Sequence, residues 1–83
     1  MQKAEIYTKP HCPFCVRAKK LLQDRGGFEI EELCAIDNRD ALIARVTEAS
    51  GVAPRTVPQI FLDGQYIGGH DNLVAYFSDL DAE

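Results

Sequence analysis

Ile6-Tyr7-Thr8-Lys9-Pro10-His11-Cys12-Pro13-Phe14-Cys15 runs from an apolar stretch through a short turn into the start of a helical pattern, carrying two thiols three residues apart. That order makes the spacing chemically specific. A strand that feeds a turn and then a helix puts Cys12 at the helix N-terminus. Unpaired backbone N–H groups and the positive end of the helix dipole stabilise a thiolate there. The thiolate is the attacking form of cysteine, and such sites lower its pKa into a range of about 3.5–7.5. Pro13 suits the first helical position, where a missing N–H is no loss.

Upstream, residues 3–8 alternate, with Ala4, Ile6 and Thr8 on one side and Glu5 and Tyr7 on the other, which predicts a first strand. Downstream, Ala18, Leu21 and Leu22 recur at helical spacing, with Cys15 one turn earlier on the same stripe. This predicts a helix over 13–25, ended by Gly26-Gly27. Residues 28–34 return to strand. Phe28 and Ile30 alternate with Glu29 and Glu31, and the slip at Glu32-Leu33 leaves room for a bulge or a change of face. Asp37 or Asn38 is placed to cap a helix over 39–50, with an apolar face of Leu42, Ile43, Val46 and Ala49 and a stop at Gly51. Residues 59–62 and 65–68 flank Asp63-Gly64, a two-residue hairpin signal. Asp71 is placed to cap a last helix whose stripe is Leu73, Phe77 and Leu80. The order β-α-β-α-β-β-α begins with a right-handed parallel crossover and ends with an antiparallel hairpin. It predicts an α/β domain with one four-stranded mixed sheet and helices on both faces. In open sheets of this kind sites form beyond the carboxyl ends of the strands, where Cys12 falls.

With 83 residues, the expectation is a single domain over 1–83. An apolar content of 46% suffices for a core and argues against disorder. A net charge of −4 speaks against a nucleic-acid binder, which carries a basic stripe. No apolar run is long enough to span a bilayer, and residues 1–5 do not read as a secretory signal. Three cysteines make a poor disulfide framework. A reducing compartment, with one working pair and Cys34 as a small buried hydrophobe, explains them better. A closed zinc site wants four ligands, commonly as two spaced pairs. Only Cys34, His11 and His70 remain beside Cys12 and Cys15, so no metal is expected.

Four stretches together resemble the small dithiol glutaredoxins of bacteria: Ile6-Tyr7-Thr8-Lys9, Cys12-Pro13-Phe14-Cys15, Thr56-Val57-Pro58-Gln59-Ile60-Phe61 and Gly68-Gly69-His70-Asp71. The resemblance covers nearly the whole chain. It implies a thioredoxin-like fold, a cytoplasmic location and reduction of disulfides with glutathione as cosubstrate. It also implies a monomer whose partners are disulfide-bonded or glutathionylated proteins, ribonucleotide reductase among the candidates. In that reading Cys12 is the nucleophile, helped by Lys9 and Arg17, and Cys15 is the resolving thiol that closes a Cys12–Cys15 disulfide. Thr56-Val57-Pro58 matches the family's cis-proline loop, whose Val57 backbone pairs with the tripeptide. Lys9 faces its glycyl carboxylate, and Gly69, His70 and Asp71 cradle its γ-glutamyl end. Phe14 lies alongside, and Arg39 and Arg55 are further carboxylate partners. Relatives commonly carry tyrosine at the position of Phe14 and cysteine at that of His70, so this chain lacks a hydroxyl and a thiol found elsewhere in the family. Two other functions stand beside this one. Cys12 and glutathione from two chains could ligate a [2Fe–2S] cluster, against which Pro13 counts. Alternatively, the chain could be a redoxin reduced by thioredoxin reductase.

Overall fold

The computed structural model describes residues 1–82 and carries seven elements in the predicted order. Strand β1 (Gln2–Thr8) pairs in parallel with β2 (Phe28–Cys34) through the crossover helix α1 (Pro13–Arg25). It pairs antiparallel with β3 (Gln59–Leu62), which turns at Asp63-Gly64 into β4 (Gln65–Gly68). The sheet order is β2-β1-β3-β4, with α2 (Arg39–Ser50) before β3 and α3 (His70–Asp81) after β4.

Alternation along β1 decides which helices cover which face. Ala4 and Ile6 are fully buried against Ala18 and Leu22 of α1, Ile60 and Leu62 of β3, and Leu73 and Phe77 of α3. Tyr7 points the other way and packs with Phe61, Ala35, and Leu42 and Val46 of α2. Helices α1 and α3 therefore share one face and α2 covers the other. Each large aliphatic side chain buried there stabilises the fold by about 1.5–3 kcal/mol relative to exposure. Glu5, on the α2 side, is neutralised rather than solvated. Arg45 donates to both its carboxylate oxygens at 3.1 and 3.2 Å and to the Tyr7 hydroxyl at 2.8 Å. The same guanidinium lies 3.9 Å from the Phe61 ring centroid.

Several local expectations change. β1 and β2 keep an unbroken register from Gln2–Phe28 to Thr8–Cys34, so Glu32-Leu33 carries no bulge. Glu32 stays on the α1 side because its carboxylate accepts from Lys19 Nζ at 3.0 Å and Thr8 Oγ1 at 2.9 Å. Leu33 packs on the α2 side. The register shift falls instead in the β3–β4 hairpin, between Ile60 and Phe61. Asn38 occupies the N-cap of α2, but its amide donates back to the Cys34 carbonyl at 2.8 Å and caps nothing. Asp71 does not cap α3. Gly69 is the N-cap, Asp71 lies in the first turn, and Asn72 Oδ1 accepts the Gly69 N–H at 3.1 Å. Leu80 and Ala49 lie outside the buried stripes, and Tyr76 packs on the core where Leu80 was expected. At the far ends of α1 and α3, Arg25 donates to both carboxylate oxygens of Asp81 at 2.7 and 3.1 Å.

Candidate active site

Cys12 is the N-cap of α1 and Pro13 its first residue, so the sulfur sits where the helix leaves N–H groups unpaired. Its Sγ accepts the Cys15 backbone N–H at 3.2 Å and lies 3.8 Å from the Val57 carbonyl oxygen. Cys12 and Cys15 are joined as a disulfide, with Cα atoms 5.3 Å apart. Cys12 is half-buried and Cys15 only 4% exposed, so an incoming thiol meets Cys12 first. Cys34 is a free, half-buried thiol at the end of β2, beside Thr8 in the register. His11, which leads into Cys12, adopts the left-handed backbone region with φ of 59°.

Three clefts of about 300–310 Å³ share lining residues here, and the first holds both sulfurs. The first is lined by Lys9, His11, Cys12, Cys15, Lys19 and Glu32. The second brings Lys9 together with Arg39, Arg55, Thr56 and Val57, and no carboxylate lines it. Lys9, Arg39 and Arg55 form no ion pair among the described residues. The third gathers Phe14, Thr56, Val57, Pro58, Gly69, His70 and Asp71. Every residue singled out in the sequence for the site except Arg17 thus lines one of these clefts, and Cys34 lines none. Val57 and Thr56 border both the second and the third.

The loop between these two clefts is braced from beneath. The Val57–Pro58 peptide is cis, and Pro58 is buried. Gln59 Nε2 donates to the Thr56 carbonyl at 2.8 Å, and the Tyr66 hydroxyl donates to Gln59 Oε1 at 2.6 Å. Gln59, Tyr66, Asn72 and Glu32 were not apparent from the sequence as site residues. A glutamine opening an otherwise apolar strand was the one available signal. Arg17 does not take the expected place beside the Cys12 charge among the cleft-lining residues. Its guanidinium lies 5.3 Å from the Phe14 ring centroid, and the His70 ring stands 5.6 Å from the same ring. His70 Nδ1 is 3.0 Å from Asp71 Oδ1, and the Asp71 side chain is otherwise open to solvent. Among the described residues no group of three or more His, Cys, Asp or Glu side chains is placed to hold a metal ion.

A family model described as glutaredoxin matches residues 4–67. Glutaredoxin 3 of Escherichia coli K12 is 48% identical over 75 residues, covering 90% of this chain and 86% of its own. The hybrid peroxiredoxin hyPrx5 of Haemophilus influenzae is 47% identical over 77 residues, covering 93% of this chain, which spans only 30% of that longer protein. Among solved structures, a buckwheat glutaredoxin–glutathione complex superimposes with a TM-score of 0.73 at 29% identity, covering 94% of this chain and 70% of that one. The sheet, the helix-capping thiol and these matches agree: the chain belongs to the glutaredoxin family of thiol–disulfide oxidoreductases, with Cys12 and Cys15 as its redox-active pair.

Proposed function

We propose that this protein reduces protein disulfides and glutathione mixed disulfides with glutathione as cosubstrate, in a reducing compartment such as the cytoplasm. The observation that carries this reading is the pair of clefts on either side of Val57. One holds three cations and no carboxylate, and the other holds the N-terminus of α3 with Asp71. Glutathione has a carboxylate at each end and an ammonium at one. Lys9, Arg39 and Arg55 suit the glycyl carboxylate. The free N–H groups at the start of α3 suit the γ-glutamyl carboxylate, and Asp71 its ammonium. The Val57 backbone between them suits the peptide unit. The buckwheat glutaredoxin that this chain resembles was solved with glutathione bound.

The chemistry follows from thiolate exchange. Cys12 Sγ attacks a substrate sulfur, the substrate disulfide breaks, and the electron pair leaves on the displaced thiolate, which takes a proton from water. With a protein disulfide, Cys15 then attacks Cys12 Sγ, releases the reduced substrate and closes the Cys12–Cys15 disulfide. One glutathione thiolate opens that disulfide, and a second displaces the first as oxidised glutathione. With a glutathionylated substrate, Cys12 acts alone and the second thiol is not needed.

The test is turnover of a glutathione mixed disulfide of a small thiol, followed as NADPH oxidation through glutathione reductase. Robust turnover is expected. Lys9→Ala should raise the KM for the mixed disulfide about tenfold, the scale of a lost charge-assisted hydrogen bond. No turnover in that assay, with turnover when thioredoxin reductase replaces glutathione and its reductase, would overturn the reading.

A further inference from the structure

When a thiol attacks Cys12 in the Cys12–Cys15 disulfide, the bond that breaks expels Cys15. Displacement at sulfur runs in line, so the incoming and departing groups lie on opposite sides of Cys12 Sγ. The Val57 clefts serve the incoming thiol in the proposed function, on which this inference rests in part. Cys15 departs on the other side, and it lines the first cleft with Lys9 and His11 of the β1–α1 turn, Lys19 of α1 and Glu32 of β2. Cys15 is 4% exposed. Burial disfavours a thiolate, so this leaving group meets little of the water that would stabilise it. Lys19 stands four residues after Cys15 on α1, where helix geometry makes side chains neighbours. Its ammonium is tied at 3.0 Å to Glu32, which is itself anchored by Thr8 at 2.9 Å.

We infer that Lys19, held in the cleft by Glu32, is a positioning residue whose charge stabilises the Cys15 thiolate as the disulfide opens. The step balances. The attacking thiolate bonds to Cys12 Sγ, the Cys12–Cys15 bond breaks, and its electron pair leaves on Cys15 Sγ. That sulfur takes a proton from water entering the cleft, and Lys19 stays protonated throughout. A less basic leaving thiol departs faster, so the effect belongs to this step. Glu32 acts in two opposed ways: it holds Lys19, and its own charge disfavours the thiolate. Removing Lys19 alone therefore leaves an unpaired carboxylate in the cleft that Cys15 lines.

The experiment follows opening of the oxidised protein by 2-mercaptoethanol and, separately, by glutathione. Lys19→Met should slow opening by about three- to tenfold with both thiols, Lys19→Arg should stay within about twofold of the parent, and Lys19→Met with Glu32→Gln should recover part of the loss. In a Cys12→Ser background, the alkylation midpoint of Cys15 should move to higher pH in Lys19→Met and not in Lys19→Arg. Parent-like opening in Lys19→Met, an arginine variant as slow as the methionine one, or an unmoved Cys15 midpoint would each overturn the inference. The glutathione reading fails separately, if glutathione opens the parent no faster than 2-mercaptoethanol at equal thiolate concentration.

Discussion

Cys12 and Cys15 differ in exposure, and in the proposed cycle that difference divides their work. Cys12→Ser should abolish turnover with every substrate. Cys15→Ser should lose reduction of protein disulfides and keep reduction of glutathione mixed disulfides. Parallel assays on an insulin-type disulfide and a small mixed disulfide check this, and equal loss of both in Cys15→Ser would count against the division. The pair was legible in the sequence because its chemistry is local: a strand, a turn, a proline and a helix start within ten residues. Arg39 and Arg55 were named through the family resemblance, and they reach the second cleft from α2 and a loop; Glu32 reaches the first cleft from β2, so only the fold brings it beside the sulfurs. Gly68 is a residue whose neighbour in space decides its identity. Its φ is 119°, and a Cβ there would stand 2.6 Å from Asn72 Oδ1. That oxygen already accepts the Gly69 N–H at the start of α3. Gly68→Ala should therefore cost about 1–3 kcal/mol in urea unfolding, from backbone strain and a displaced cap. A loss well below that range would mean the turn relaxes freely.

Elements are held in register by contacts that alternate patterns only partly reveal. The apolar stripes of β1, α1 and α3 were readable, because burial demands them at the helix and strand periods. The Glu32-Leu33 slip suggested a bulge and is none, since a salt-bridged carboxylate can occupy the α1 side of an edge strand. The hairpin irregularity between Ile60 and Phe61 left no trace in a run of four buried residues. Asp71 was read as a cap because its residue type favours that role, yet the chain enters α3 two residues earlier and uses Asn72 instead. Helix α2 is fastened to the sheet through Arg45, whose planar fork meets Glu5 while its face lies on Phe61. Arg45→Ala should destabilise by about 1.5–3 kcal/mol, the range for charged hydrogen bonds. Arg45→Lys should recover little of this, since an ammonium offers neither the two-pronged contact nor the stacking. Urea midpoints of the two variants decide it; full recovery by lysine would reduce the contact to its charge.

Across the whole molecule, ion pairs join the layers: Lys19–Glu32 ties α1 to β2 and Arg25–Asp81 ties α1 to α3. Hydrogen bonds from Lys19 and Thr8 hold the Glu32 carboxyl below its ordinary 4.5, and Arg25 holds that of Asp81 below 3.8. A carboxylate with a depressed folded pKa contributes its full stability above the unfolded value and loses it as pH falls through the folded one. Burial pushes the Tyr66 phenol above 10.0, so it stays protonated through neutrality and weakens the fold only when alkali forces it to ionise. The raised values of Lys3, Arg25 and Arg45 likewise act only at the alkaline end, where their pairs with Glu31, Asp81 and Glu5 are lost as pH rises through them. Stability should therefore be level through neutrality and begin to fall as pH drops below about 4.5. Both acid-sensitive pairs reach solvent, so added salt should screen them and shallow that fall. Glu32→Gln should remove part of the acid slope while lowering stability at neutral pH, because the amide loses the charge and keeps one acceptor oxygen where the carboxylate has two, for Lys19 and Thr8. Urea unfolding at a series of pH values for the parent and this variant makes the comparison. An acid limb of unchanged onset and slope in Glu32→Gln would mean that the charge beside the sulfurs is there for the chemistry and contributes nothing to the fold.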